Sequence, residues 1–438
     1  MGEGSSTAPD GARAPDLVPR LAFALVAAAV LANLLYNLLM EHWGHAFPYN
    51  TFVHAPEDRF GDFFKMAMGY PGPTIHSAAS IWHLDQLFPR WTEELERLKG
   101  SRFNHFHMLP VSTLLGLGIR GLLPLVEPLL LFLAVAGLAA AALAWTTARE
   151  APAGPGRLFV GLLALGCYPA LFAFDRGHLF SVITAVGVIG GTLRSLRMGR
   201  ADAVAIALFA VAINIRPNAG VVPLALFLAG RGWRFRDMVI LGCATAGLFV
   251  LGFAAAHAAY PAYTPESWRQ GMSDYVGVFI VSGFGQAYNS SLYGALLAMY
   301  GPQEWTRIVP LLVGAALFGA VLLAARRRRL PDSALLFVVL AVYATTSQVF
   351  ADYHLLVFLI PVVLLAREGR MTGESDWPVL LGACFVLAPK NYLFFGVDIP
   401  FPWSLQVVLN PLVMVTVSLL VILRAYRGSA PAPRLAPA

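Results

Sequence analysis

Apolar residues in this chain come in long unbroken runs. Leu21 to Met40, LAFALVAAAVLANLLYNLLM, is apolar on nearly every helical face, whereas the helix of a soluble protein would show one apolar stripe. Twelve such runs can be cut: Leu17–Met40, Gly121–Trp145, Leu158–Phe174, Leu179–Leu193, Ala203–Ile215, Ala219–Ala229, Met238–Tyr260, Ile308–Ala325, Ala334–Phe350, Leu355–Ala366, Val379–Pro389 and Trp403–Leu423. Each predicts a helix in lipid, so the fold class is an all-α polytopic membrane protein of about twelve spans. Several runs are shorter than the ~20 residues of a straight crossing. Ala203–Ile215 and Ala219–Ala229, on either side of Pro217, therefore read as tilted or incomplete.

Between the first two runs, FPRWTEELERLKG (Phe88 to Gly100) has a different pattern. Pro89 opens it, Glu93 and Glu94 follow, Gly100 ends it, and Ile81, Leu84, Phe88, Trp91, Leu95 and Leu98 recur every three or four residues. An amphipathic helix is expected, lying on a leaflet or packed on the protein's own rim.

Charge orients the runs. Arginines cluster in every second connection: Arg149 and Arg157; Arg194, Arg197 and Arg200; Arg231, Arg234 and Arg236; Arg326 to Arg329; Arg367 and Arg370; Arg424 and Arg427. By the positive-inside rule these face the cytoplasm, and twelve spans with both termini inside satisfy all six clusters. Residues 1–16 and 426–438 become cytoplasmic tails around one membrane domain, 17–425. The opposite face holds the loop 41–108, Asp175–His178, Arg216–Asn218, the loop 261–307, Ala351–His354 and Lys390–Pro402.

Of 438 residues, 58% are hydrophobic and 13% charged, which leaves a soluble core no room for the apolar surface. The net charge of +6 lies in short clusters without interleaved aromatics, so no nucleic-acid partner is expected. Cys167, Cys243 and Cys384 each stand alone in an apolar run and read as buried small hydrophobes. No phosphate-binding loop, dinucleotide fingerprint, zinc spacing or nucleophile elbow appears, so neither a nucleotide nor another cofactor is implied; metal dependence stays open.

Chemistry-bearing residues collect on the non-arginine face. Asp62 sits among Phe60, Phe63 and Phe64, where partial desolvation would raise a carboxylate toward use as a general base; an ion pair with Arg59 or Lys65, or a helix cap, is the plain alternative. His354, after Asp352 and Tyr353 in a short turn, suits phosphate binding or proton donation, or a structural hydrogen bond. Arg216, at the proline break, needs an anionic partner, either a lipid phosphate or a buried carboxylate. Asp175, Arg176 and His178 form another charged group, and Asn289 stands in an N-x-S sequon before a further helix.

The order of GDFF, FNHFHMLP (Phe103 to Pro110), DRGH, NIRPNAGVVPLALFLAGRGWR, YNSSLYG and DYHLLVFLIP resembles that in bacterial GT-C glycosyltransferases, over roughly Thr51 to Pro361. The likeness is to the polyprenyl-phosphate-dependent mannosyltransferases that extend phosphatidylinositol mannosides and to their arabinofuranosyltransferase relatives. It departs at Phe63 and Phe64, where tyrosine is common, and at His178, where an amide is expected. The resemblance implies a GT-C bundle in a bacterial plasma membrane with its active site outside. It implies Asp62 as general base, with Asp58 in reserve, and His354 and Arg216 near the donor phosphate, where Arg176 and His178 would join them. By the same resemblance Asn289 and Ser291 would be the family's Asn-Ser pair, and with Asp352 and Tyr353 they would contact substrate. Its partners would be a polyprenyl-phosphate sugar, mannose by preference, and a lipid or glycolipid acceptor among the membrane lipids. A transporter or lipid flippase, and a polysaccharide polymerase or ligase, are the competing classes.

Overall fold

The computed structural model describes residues 17–43, 62–63, 109–122, 125–126, 128–151, 155–259, 261–275, 288–328, 330–368, 376–390, 394–395 and 403–427. Asp58 and the expected helix at 88–100 lie outside them. Each of the twelve apolar runs is helical over most of its length. In chain order the helices are α1 (Leu17–Trp43), α2 (Pro110–Leu122), α3 (Pro128–Ala148), α4 (Pro155–Gly166), α5 (Tyr168–Arg176), α6 (Leu179–Met198), α7 (Ala203–Ile215) and α8 (Val221–Leu228). They continue as α9 (Phe235–Ala259), α10 (Pro265–Tyr275), α11 (Leu292–Tyr300), α12 (Glu304–Arg328), α13 (Asp332–Thr345), α14 (Leu359–Glu368), α15 (Asp376–Leu387) and α16 (Gln406–Arg427). This is a helical membrane protein. Among the described residues five helices, α3, α6, α9, α12 and α16, are long and apolar enough to cross alone, and α4 with α5 makes a sixth if the bent pair is one span.

Proline explains most departures from the expected spans. The run Leu158–Phe174 splits into α4 and α5, bent by 46° at Cys167, where Pro169 enters the first turn of α5 without an N–H to continue the ladder. The run expected from Gly121 begins instead at Pro128, after the separate helix α2. Leu355–Ala366 opens as a 3₁₀ segment, Asp352–Phe358, before α14, whose third residue is Pro361. Ahead of α16, Phe394–Phe395 pairs antiparallel with Trp403–Ser404, a small exception to the all-helical expectation.

The core is organised around α6, α13 and α14. Every residue of α13 after Asp332 is buried, and in the spanning window of α6 the buried share is 78%, against 11% in α9, which is left facing lipid. Close approach to α7 requires small residues on α6: a side chain at Gly187 would meet the Leu208 carbonyl oxygen at 2.7 Å. One expectation fails here. Cys167 and Cys384 are buried, but Cys243 is exposed, because it lies on the outward face of α9.

The helix ends sort into two sets. His178 precedes α6 and Arg197 closes it; Asp202 caps α7 and Arg216 follows it; Asp332 opens α13 and Asp352 comes after it. Arginines gather at one end and the candidate chemistry at the other.

Candidate functional site

Four chain breaks build the site. α7 stops because Arg216 is extended (φ −139°, ψ 99°), the conformation favoured before proline, and a 3₁₀ turn, Pro217–Gly220, leads into α8. α5 stops at Gly177, whose left-handed φ of 70° lets its own N–H reach Phe174 and the next N–H, of His178, reach the Ala173 carbonyl at 2.8 Å. His178 is thereby held at the start of α6, its Nδ1 2.7 Å from the Ser181 hydroxyl. The third and fourth breaks pair with each other: Ser290 N–H donates to the Phe350 carbonyl (2.8 Å) and Asp352 N–H to that of Tyr288 (3.1 Å). This two-rung bridge fixes where Asp352, Tyr353 and His354 begin.

These segments bring most of the expected residues together. The His178 ring stacks on Tyr353, centroids 4.1 Å apart, and meets His354 edge-on at 5.8 Å. Arg216 donates to His354 Nε2 and to the Val349 carbonyl, 3.2 Å away. A guanidinium has donors only, so Nε2 must accept and the imidazole proton resides on Nδ1. Asp62 joins through its neighbour. Phe63 is buried against Leu131, Phe132 and Leu179, its ring 5.1 Å from that of Phe132, and since Leu179 follows His178 this anchor brings the Asp62 carboxylate within electrostatic range of the imidazole.

Burial pushes His178 down to about 4, against the pull of Asp62 and with the help of Arg216 and Arg176. It also holds His354 well below the ordinary imidazole range, with Arg216 and His178 acting the same way. Both imidazoles are neutral at pH 7, so the fixed positive charge comes from Arg216 and Arg176. The carboxylate that the sequence offered as one partner for Arg216 is not there: among the described residues its partners are an imidazole and a carbonyl. A half-buried guanidinium so placed, beside a donor-bearing Nδ1, suits an anion with several oxygens.

Behind this cluster is a polar network that sequence reading missed except for Asp352. The Asp352 carboxylate, fully buried, accepts from the Tyr168 hydroxyl (3.0 Å) and the Ser290 hydroxyl (2.7 Å); Gln406 donates to Tyr168 (3.1 Å) and Asn410 to Ser290 (2.9 Å). Burial raises Asp352 to about 7 against these hydrogen bonds and the charge of Lys390. Lys390 is lowered to about 7, also by burial, and donates to the Phe385 and Ala388 carbonyls at the end of α15. Gln406 and Asn410, amides one turn apart in an apolar run, were the available signal.

Asn289 and Ser291 are buried and turned to the backbone. Asn289 donates to the Gln348 carbonyl (2.8 Å) and accepts from the Phe350 N–H (2.7 Å), and the Ser291 hydroxyl caps α11 by accepting from Gly294 (3.0 Å). Their visible work is to hold the 288–291 segment against 348–352. No family model, curated protein or solved structure matches this chain.

Proposed function

We propose that this protein is an inverting GT-C-type glycosyltransferase that moves a sugar, mannose by preference, from a polyprenyl phosphate to a lipid or glycolipid acceptor. The observation that carries this reading is the meeting of Asp62, His178, His354, Arg216 and Arg176, distant in sequence, at the helix ends away from the arginine clusters. In the proposed reaction Asp62 takes the proton of the acceptor hydroxyl as its oxygen attacks the anomeric carbon. The bond from that carbon to the phosphate oxygen breaks, and its electron pair leaves on the phosphate, stabilised by Arg216, Arg176 and the His354 Nδ1–H. His178 and Tyr353 hold this wall in shape. The finer topology belongs to the same proposal: twelve spans, both termini cytoplasmic, the site outside, in a bacterial plasma membrane.

The test is transfer of labelled mannose from polyprenyl-phosphate mannose by the reconstituted protein, with mixed bacterial lipids as acceptors and a parallel arabinose-bearing donor. Asp62→Asn should reduce turnover by ~10²- to 10⁴-fold, the usual worth of a general base. Equal transfer by both proteins would remove Asp62 from the role and turn attention to Asp58. No transfer from either donor would overturn the reading.

A flippase is the second reading, favoured by the broken helix at Arg216–Pro217 and the 46° bend between α4 and α5, since discontinuous helices form substrate sites in transporters. Movement of a labelled lipid phosphate across vesicles without sugar transfer would favour it.

A further inference from the structure

At the arginine end, the turn between α6 and α7 touches the turn between α8 and α9. Gly232, with a φ of 77°, makes this approach possible: a side chain there would lie 2.5 Å from the Gly199 carbonyl oxygen and 2.8 Å from the Arg200 nitrogen. The Ala201 N–H donates to the Gly232 carbonyl across the junction (3.2 Å). Arg200, in the first of these turns, and Arg236, at the start of α9, thereby come to flank one groove of about 460 Å³ between α7 and α9. Its walls are Ile206 and Ala207 on α7 and Ile240 and Ala244 on α9.

The charges at its mouth are unequal in what they already do. Asp202 is held by Arg194 at 2.5 Å and caps α7 by accepting from Ala205 (2.9 Å). Asp237 accepts the Arg234 N–H (3.0 Å), and its other oxygen makes a long ion pair with Arg236 at 3.7 Å. Arg200 makes no hydrogen bond or ion pair among the described residues, and the Arg236 side chain is 77% exposed. Asp202 is therefore committed to Arg194 and Asp237 offsets Arg236 only in part, so Arg200, with the exposed Arg236 beside it, leaves an excess of positive charge over an apolar furrow.

We propose that this groove binds one anionic phospholipid from the leaflet on the arginine side. Its phosphate would lie between Arg200 and Arg236, and one acyl chain would run along Ile206, Ala207, Ile240 and Ala244. Charge complementarity selects this occupant: a zwitterionic lipid would satisfy the walls but bring its own cation to the mouth, and basic pockets between membrane helices hold anionic headgroups on the same principle.

The test is native mass spectrometry of the full chain, released from detergent with phosphatidylglycerol or phosphatidylcholine of identical acyl chains. The wild type should retain phosphatidylglycerol preferentially, and each of Arg200→Gln and Arg236→Gln should reduce that preference about fivefold. Ala207→Phe, which fills the furrow and leaves the charges, should lower retention of phosphatidylglycerol by itself, and keeps the test decisive should an arginine variant misfold. Equal retention of the two lipids, or undiminished phosphatidylglycerol on the folded variants, would overturn the proposal. Full competition by glycerol phosphate would overturn it too, because the groove would then be a soluble-anion site.

Discussion

Outside the proposed lipid groove, the two ends of the helices treat positive charge differently. At the arginine end, Arg194 meets Asp202 at 2.5 Å, Arg197 meets Glu150 at 2.8 Å and Arg231 meets Asp332 at 3.0 Å, while Arg326 donates to the Leu228 carbonyl. At the other end, Arg216 faces an imidazole and a carbonyl, with no described carboxylate in ion-pair range. A cation that only anchors the chain can be completed by a neighbouring acid. One left incomplete in a half-buried cleft retains its attraction for an anion from outside, at some expense in stability.

The sharpest way to break this comparison is to remove Arg216. In the proposed transfer reaction Arg216→Gln should lower turnover by ~10²- to 10³-fold, as expected when a preorganised donor to developing charge is lost. Arg216→Lys should recover only part of it, since an ammonium lacks the fork that reaches His354 and Val349 together. Transfer unchanged in both would mean the unmet charge serves packing alone.

Next in size is the network behind the cluster. Asp352→Ala should destabilise the protein by about 1–3 kcal/mol, because it leaves the Tyr168 and Ser290 hydroxyls buried without their acceptor; thermal melting in detergent reads this directly. The pH dependence has a definite sign. Asp352 is raised to about 7 in the fold, so it keeps a proton there after the unfolded chain has lost its own, and its contribution is present below about pH 4 and lost as pH rises through 7. Asp352→Asn, which does not titrate, should therefore gain on wild type between pH 5 and pH 8, and a constant difference would argue against a strained carboxylate.

His178 has the opposite sign. Lowered to about 4, it is neutral in the fold while the unfolded chain takes up a proton, so its contribution is complete above about pH 6.5 and lost as pH falls toward 4. His178→Asn should melt closer to wild type at pH 5 than at pH 8. If it instead lags equally at both, the ring takes up its proton in the fold as readily as in the unfolded chain, and the cluster at pH 5 is more positive than described.

Much of the helical layout was legible because lipid demands unbroken apolar runs and the break at Pro217 interrupts them visibly, whereas the bend at Pro169 was read through as part of one run. The arginine clusters also sorted the connections into the two sets of helix ends seen in the fold. Side-chain partners were not legible in the same way. Arg216 looked as if it needed an acid or a lipid phosphate, but the choice of His354 depends on the bridge between 288–291 and 348–352, a contact across 60 residues that no local pattern encodes. Tyr168 was hidden for a similar reason: it is one polar residue in an apolar run until α5 and α16 meet at Asp352. The anchoring of Asp62 by Phe63 shows the reverse case, since the aromatic setting was plain in the sequence and only its destination, beside Leu179, was not.

The smallest effect sharpens the comparison from the arginine end. Arg194 makes short contacts with both Asp202 oxygens, at 2.5–2.9 Å, but both side chains remain partly exposed, at 27% and 19%. Exposed pairs contribute little, because water solvates the separated charges nearly as well. Arg194→Gln should thus shift melting only slightly, more at low salt than at high, and leave the proposed transfer within about twofold. The Asp202 carboxylate would still cap α7 through the Ala205 N–H, so the helix start should survive. A loss of transfer comparable to that of Arg216→Gln would mean the two ends are coupled through α6, and the division between charges that anchor and charges that bind would have to be abandoned.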